Sequence, residues 1–233
     1  MQPALTVSYF SDVLCVWAYV AQIKLDELRR QFGDKIRVEY RFLHLFGDVA
    51  ARIETGWGDK GGAAGYSRHV QQMAVRFDHV DIHPDIWTRN TPPTSMSCHL
   101  FLKAVQLLEK QGEVSATPEE RFGGKSAFEE TVWRCRLGFL RDLQDIADWK
   151  NQEAMASDMS LPVDSIRRQI DSGAAHSALC ADFDAKGRLL VEGSPTFVLN
   201  DGRQKLYGNV GYRIIEASIH ELLADPGDRA SWC

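Results

Sequence analysis

Two periodicities in a fixed order constrain this chain more than any other feature. Residues 4–10 form a short β-prone run, residues 15–31 read as a helix closed by Gly33, and Lys35 to Phe42 alternates polar and apolar side chains. A β-α-β opening implies two parallel strands and a right-handed crossover. From about Gly56 to Gly173 the spacing turns helical. Tyr66, Val70, Met73, Ala74 and Phe77 share one face; Met96, Leu100, Ala104, Leu107 and Leu108 a second; Phe128, Val132, Cys135, Phe139, Leu140 and Leu143 a third. Further helices are expected near Trp149 to Met159 and after Pro162, the latter capped by Asp164. Strand spacing returns at Pro195 to Leu199, turns at Asn200-Asp201-Gly202, and ends near Tyr207 before a last helix, Tyr212 to Leu223. Read from periodicity alone, the fold class is α/β with a helical insert.

The 233 residues allow an ample core, and 44% apolar with 25% charged residues describes an ordinary soluble globular protein. A net charge of -5 without a Lys/Arg cluster argues against nucleic acid as partner, and no run approaches the ~20 apolar residues of a membrane span. Met1-Gln2-Pro3-Ala4 has no basic or long apolar leader, so the expectation is no signal peptide and a cytoplasmic location. The five cysteines show neither Cys-x-x-Cys nor zinc spacing, and His44, His69, His99 and His176 are scattered, so no metal is expected. Cys98, Cys135 and Cys180 read as small buried hydrophobes on helices, and Cys233 as a fraying terminus.

Chemistry concentrates in Ser8-Tyr9-Phe10-Ser11-Asp12-Val13-Leu14-Cys15-Val16-Trp17-Ala18-Tyr19. The strand stops at Asp12 and Cys15 opens a helix, where unpaired N–H groups and the positive end of the helix dipole favour thiolate. Cys15 is therefore expected to titrate below the free value of about 8.5 and to be the nucleophile. Asp12 reads as a cap or orienting group for this turn, with a proton-relay role open. Trp17 reads either as core or as a substrate-facing ring.

This segment resembles the active-site turn of the DsbA branch of the thioredoxin superfamily, Phe-x-Asp-x-x-Cys-Pro-Trp-Cys. Phe10, Asp12, Cys15 and Trp17 fill the pattern; Val16 and Ala18 depart from it, and Ala18 stands where the resolving cysteine would be. The resemblance implies a thioredoxin fold with a helical domain inserted between the β-α-β and β-β-α halves, with residues 1–55 and 180–233 forming the thioredoxin-like domain and 56–179 the insertion. Gly193-Ser194-Pro195-Thr196-Phe197 resembles the superfamily's cis-proline loop, which implies a cis Pro195 and a Ser194 backbone that pairs with glutathione or a peptide. Tyr207-Gly208-Asn209-Val210-Gly211-Tyr212-Arg213 lies where glutathione-using relatives carry Gly-(Ser/Asn)-Asp-Arg; Asn209 fits and Val210 replaces the aspartate, so Asn209 is either a ligand to the γ-glutamyl end or a helix N-cap. Asn90-Thr91 loosely resembles a cleft-lining loop, and Asp145-Ile146-Ala147-Asp148 a helix-entry signature.

Relatives without the second cysteine, the kappa-class glutathione transferases and the 2-hydroxychromene-2-carboxylate isomerases, use glutathione. The leading expectation is a monothiol oxidoreductase acting through Cys15, with glutathione as co-substrate and a small-molecule thiol or disulfide as partner. A glutathione-dependent isomerase or transferase is the alternative, and a non-catalytic peptide- or thiol-binding module the third. A homodimer stays open.

Overall fold

β1 (Leu5–Ser11), α1 (Val16–Val20), α2 (Gln22–Phe32) and β2 (Ile36–Phe42) open the chain in the computed structural model, which describes residues 5–225. There follow α3 (Val49–Trp57), α4 (Gly62–Ala74), α5 (Met96–Gln111), α6 (Ala127–Leu140), α7 (Trp149–Asp158), α8 (Val163–Asp171) and α9 (Ala174–Arg188). β3 (Thr196–Leu199), β4 (Gln204–Tyr207) and α10 (Tyr212–Ala224) close it. Among the described residues, those up to Leu43 and from Asp182 onward form one unit; His44–Ala181 form a second. The topology is that of a thioredoxin fold interrupted between β2 and β3 by helices.

In the first unit the sheet order is β2-β1-β3-β4. β1 runs parallel to β2, Leu5 opposite Ile36 through Ser11 opposite Phe42, and antiparallel to β3, Phe10 opposite Thr196. Alternate side chains leave β1 on opposite faces. Tyr9 is fully buried on one; its ring meets Phe197 at 4.9 Å and stands edge-on to Tyr40 at 5.7 Å, and its hydroxyl donates to the Ala18 carbonyl at 3.4 Å. Phe10 fills the other face with Leu43, Ala185, Val191 and Val198. The expected single helix over 15–31 is broken in two. The Lys24 N–H turns back to the Ala21 carbonyl at 3.0 Å, a tighter turn that interrupts the α-helical ladder. The buried Asp182 accepts the Phe42 N–H at 2.8 Å and pairs with Arg41 at 3.4 Å, tying α9 to the end of β2.

The second unit starts earlier than residue 56, because α3, unforeseen in the sequence, belongs to it: Asp48 caps α3 by accepting the Ala51 N–H at 2.9 Å, and the Val49 N–H bonds the Pro93 carbonyl at 3.1 Å. α9 was anticipated only in that Cys180 reads as lying on a helix. In α5, Ala104 and Leu108 of the expected face are buried, together with Cys98, Phe101, Leu102 and Val105, whereas Met96, Leu100 and Leu107 are only half-buried. α6 buries the expected face and opens with a reciprocal cap between Ser126 and Glu129. Pro162, not Asp164, stands at the N-cap of α8, with Asp164 in its first turn. The unit centres on Trp87, which lies outside any helix with φ 65° and packs against Phe46 at 5.0 Å, Tyr66 at 5.1 Å and Phe139 at 4.9 Å. Asn90 donates to the Leu143 carbonyl at 3.1 Å, and Asp145 and Asp148 accept from Ala147 and Lys150, which makes these three residues structural here. Among the described residues no helix is long and apolar enough to cross a membrane, and no cluster of three or more His, Cys, Asp or Glu side chains is arranged to hold a metal.

Removing the Asp182 carboxylate takes away the acceptor that the buried Phe42 N–H uses at 2.8 Å. Asp182→Ala is expected to lower stability by about 1–3 kcal/mol, read as a shift in urea midpoint; an unchanged midpoint refutes the tie. His99 is buried, and burial, then the charges of Lys103, Arg136 and His44, pull its pKa from 6.5 to about 3. The unfolded chain therefore binds the extra proton between those values, so His99 leaves stability intact above pH 6.5 and erodes it as pH falls toward 3. His99→Gln is expected to flatten the pH dependence of unfolding free energy between pH 6 and 4 relative to wild type; parallel curves refute the neutral buried imidazole.

Candidate active site

Adjacency in the sheet assembles the site within the first unit. β1 and β3 are antiparallel neighbours, so the segment leaving β1 and the segment entering β3 meet at one sheet end. Asp12 shapes the first segment: its carboxylate accepts the Leu14 N–H at 3.0 Å and its carbonyl the Cys15 N–H at 3.1 Å. Cys15 stands at the N-cap of α1, its carbonyl accepting from Ala18 at 3.0 Å and Tyr19 at 3.1 Å. In the second segment the Ser194–Pro195 peptide bond is cis. Two bonds join the segments: the Asp12 N–H donates to Ser194 Oγ at 3.0 Å, and Cys15 Sγ donates to the Ser194 carbonyl at 3.4 Å. Asp12, Cys15, Ser194 and Pro195 are thus brought together.

The expected acidity of Cys15 is reversed. The residue is only 4% exposed, and burial pushes its thiol above the ordinary value, with the Asp12 charge adding to the rise. Hydrogen bonds from the Ser194 side chain and the Ala18 and Trp17 backbone oppose the rise without cancelling it. The dipole argument fails physically because α1 has five residues, too short for a substantial macrodipole, whereas desolvation acts in full.

Trp17 is partly buried, while every other residue from Val7 to Gln22 is buried. Ala18 is fully buried beside Cys15. Asn209 is exposed and is not the N-cap of α10; Gly211 holds that position, and Asn209 Oδ1 accepts from Lys24 Nζ. Lys24 also donates to the Val210 carbonyl at 2.8 Å, and partial burial lowers its pKa. Cys98 and Cys135 are buried, as read; Cys180 is exposed, because the stretch of α9 that carries it faces solvent. Cys233 lies outside the described residues. One contact gave no sequence signal. A Cβ on Gly193 would come within 2.7 Å of Tyr207 Cε2 and 2.8 Å of its Oη, so the ring lies directly on the loop before Ser194.

No protein-family model matches the chain, and no curated protein does. Solved structures share its fold. A protein from Nitrosomonas europaea described as a protein disulfide isomerase aligns with a TM-score of 0.73 at 12% identity, covering 96% of this chain and 100% of its own. The cytosolic disulfide reductase DsbM from Pseudomonas aeruginosa aligns at 0.64 with 15% identity, over 93% and 99% of the two chains. The same reductase, solved with GSH, aligns at 0.63 with 14% identity, over 93% and 100%. A 2-hydroxychromene-2-carboxylate isomerase aligns at 0.61 with 15% identity, over 97% and 100%. Identities this low carry the fold and no more.

In the resting protein Cys15 is expected to alkylate with iodoacetamide more slowly than the exposed Cys180 at pH 7, with a reactivity midpoint above that of an ordinary thiol. Ser194→Ala removes a hydrogen bond that favours thiolate, so it should move the midpoint higher still. Peptide mass spectrometry across a pH series reads both; a Cys15 midpoint below 8 overturns the burial argument.

Proposed function

We propose that the chain is a thiol-disulfide oxidoreductase working through Cys15 alone, with glutathione or another low-molecular-weight thiol as the second thiol. What carries this reading is the Cys15 thiol held 3.4 Å from the carbonyl that precedes cis Pro195. A thiol so placed can attack a disulfide whose backbone lies along Ser194 like an added strand. The substrate S–S bond breaks, a Cys15–sulfur bond forms, and the Cys15 proton passes to the leaving sulfur. A glutathione thiolate then attacks the mixed disulfide, releases the substrate sulfur as a glutathione mixed disulfide, and Cys15 regains a proton from solvent. Ala18 denies the chain an internal resolving thiol. In this reading Trp17, Ser194 and Pro195 line the partner site, Asp12 orients the turn, Asn209 meets the γ-glutamyl end, and the unit containing β1 to β4 carries the chemistry. The GSH complex of the DsbM fold relative supports glutathione as partner, and that protein's cytosolic setting supports a cytoplasmic one.

One observation favours a second reading. Burial keeps Cys15 protonated, and its S–H then serves as a hydrogen-bond donor. A donor there suits an isomerase or transferase in which Cys15 orients the thiolate of bound glutathione; the isomerase among the fold relatives is consistent with that role.

Turnover of bis(2-hydroxyethyl) disulfide with glutathione separates the two. The oxidoreductase reading expects glutathione-dependent turnover that rises with pH above 7, is abolished in Cys15→Ser, and becomes independent of glutathione with dithiol substrates in Ala18→Cys. Glutathione binding by calorimetry without turnover favours the isomerase or transferase. Neither binding nor turnover defeats both readings.

A further inference from the structure

The end of β4 clasps the loop that faces Cys15. Tyr207 lies opposite Thr196 in the ladder, and the Gly208 N–H donates to the Pro195 carbonyl at 2.8 Å. Between these anchors the Tyr207 side chain folds back onto Gly193. The backbone of Gly193 is outside the left-handed region, so its conformation does not demand glycine. The ring does: Cε2 and Oη occupy the space a Cβ would need, at 2.7 and 2.8 Å. Gly193 is buried beneath a tyrosine that is itself 61% exposed. One side of the ring therefore rests on the loop and the rest of it faces solvent, one residue from the carbonyl that receives the Cys15 S–H. Trp17, two residues after Cys15, is the other accessible ring of these segments.

An exposed aromatic ring seated on the loop that carries the Cys15 acceptor is poorly used by a small aliphatic partner. A planar group can cover it in an offset or edge-to-face arrangement that adds to the area buried. We infer that Tyr207 is a specificity-determining residue of the Cys15 site, selecting thiol or disulfide partners that carry an aromatic group next to the reacting sulfur. The inference deepens the oxidoreductase reading and rests on Cys15 being its nucleophile.

Methyl and benzyl methanethiosulfonate test it, since both transfer their S-alkyl group to a thiol and differ in the ring. Second-order rates are read at Cys15 by peptide mass spectrometry at fixed pH in the whole protein, with Cys180 as internal reference. Tyr207→Ala is expected to lower the benzyl-to-methyl ratio at Cys15 about 3- to 10-fold, while Tyr207→Phe keeps it. The methyl rate should be unchanged in both variants, and the Cys180 ratio throughout. An unchanged Cys15 ratio in Tyr207→Ala overturns the inference and leaves the nucleophile standing. So does an equal fall in both rates, which would make Tyr207 a mere support for the loop, or a loss of the ratio in Tyr207→Phe. A Cys15 inert to both reagents overturns the oxidoreductase reading and this inference together.

Discussion

Ser194 is the residue on which the rest of the site depends. Its hydroxyl takes the Asp12 N–H and its carbonyl takes the Cys15 thiol, joining segments 182 residues apart in sequence for the first of these bonds. The sheet prepares this meeting. Antiparallel neighbours set the end of one strand beside the start of the next, so β1 delivers Asp12 and Cys15 where β3 begins. The same rule, applied once more between β3 and β4, returns Tyr207 to that sheet end. The site is a consequence of strand order before it is a matter of side chains.

The arrangement trades reactivity for order. A thiol at the surface would ionise readily but would have no fixed acceptor. Here every residue from Val13 to Val16 is buried, and the thiol gains a defined partner in the Ser194 carbonyl while losing the solvation that its anion needs. The groups that favour the anion, the Ser194 side chain and two backbone N–H groups, are local and few. Cys15 is held by position rather than favoured by acidity.

Much of this was legible in the sequence. The strand alternation of Lys35 to Phe42, the hairpin turn at Asn200-Asp201-Gly202 and the apolar spacing of α6 follow from backbone period and side-chain burial, and all three appear where their residues predict. The Gly-Ser-Pro motif pointed to the cis bond and to Ser194. What escaped depends on surroundings that no local pattern encodes. The acidity of Cys15 turned on desolvation by burial. In α5 the buried side extends beyond the expected face to Cys98, Phe101, Leu102 and Val105. Trp87, the hub of the helical unit, sits in a segment with no periodicity at all. The fit of Tyr207 onto Gly193 required two residues to meet across a hairpin, and neither is unusual by itself.

The tie between Asp182 and Phe42 has a further consequence, for how such a chain tolerates change. Phe42 is where the chain prepares to leave the first unit, and Asp182 is where it comes back. A 2.8 Å bond between exit and return makes the two cut ends of the thioredoxin-like half neighbours, whatever is threaded between them. Closing a loop depends only weakly on its length, about 0.6 kcal/mol for each doubling. The helical segment is therefore a cassette: it can be lengthened, shortened or exchanged with little effect on the half that holds Cys15.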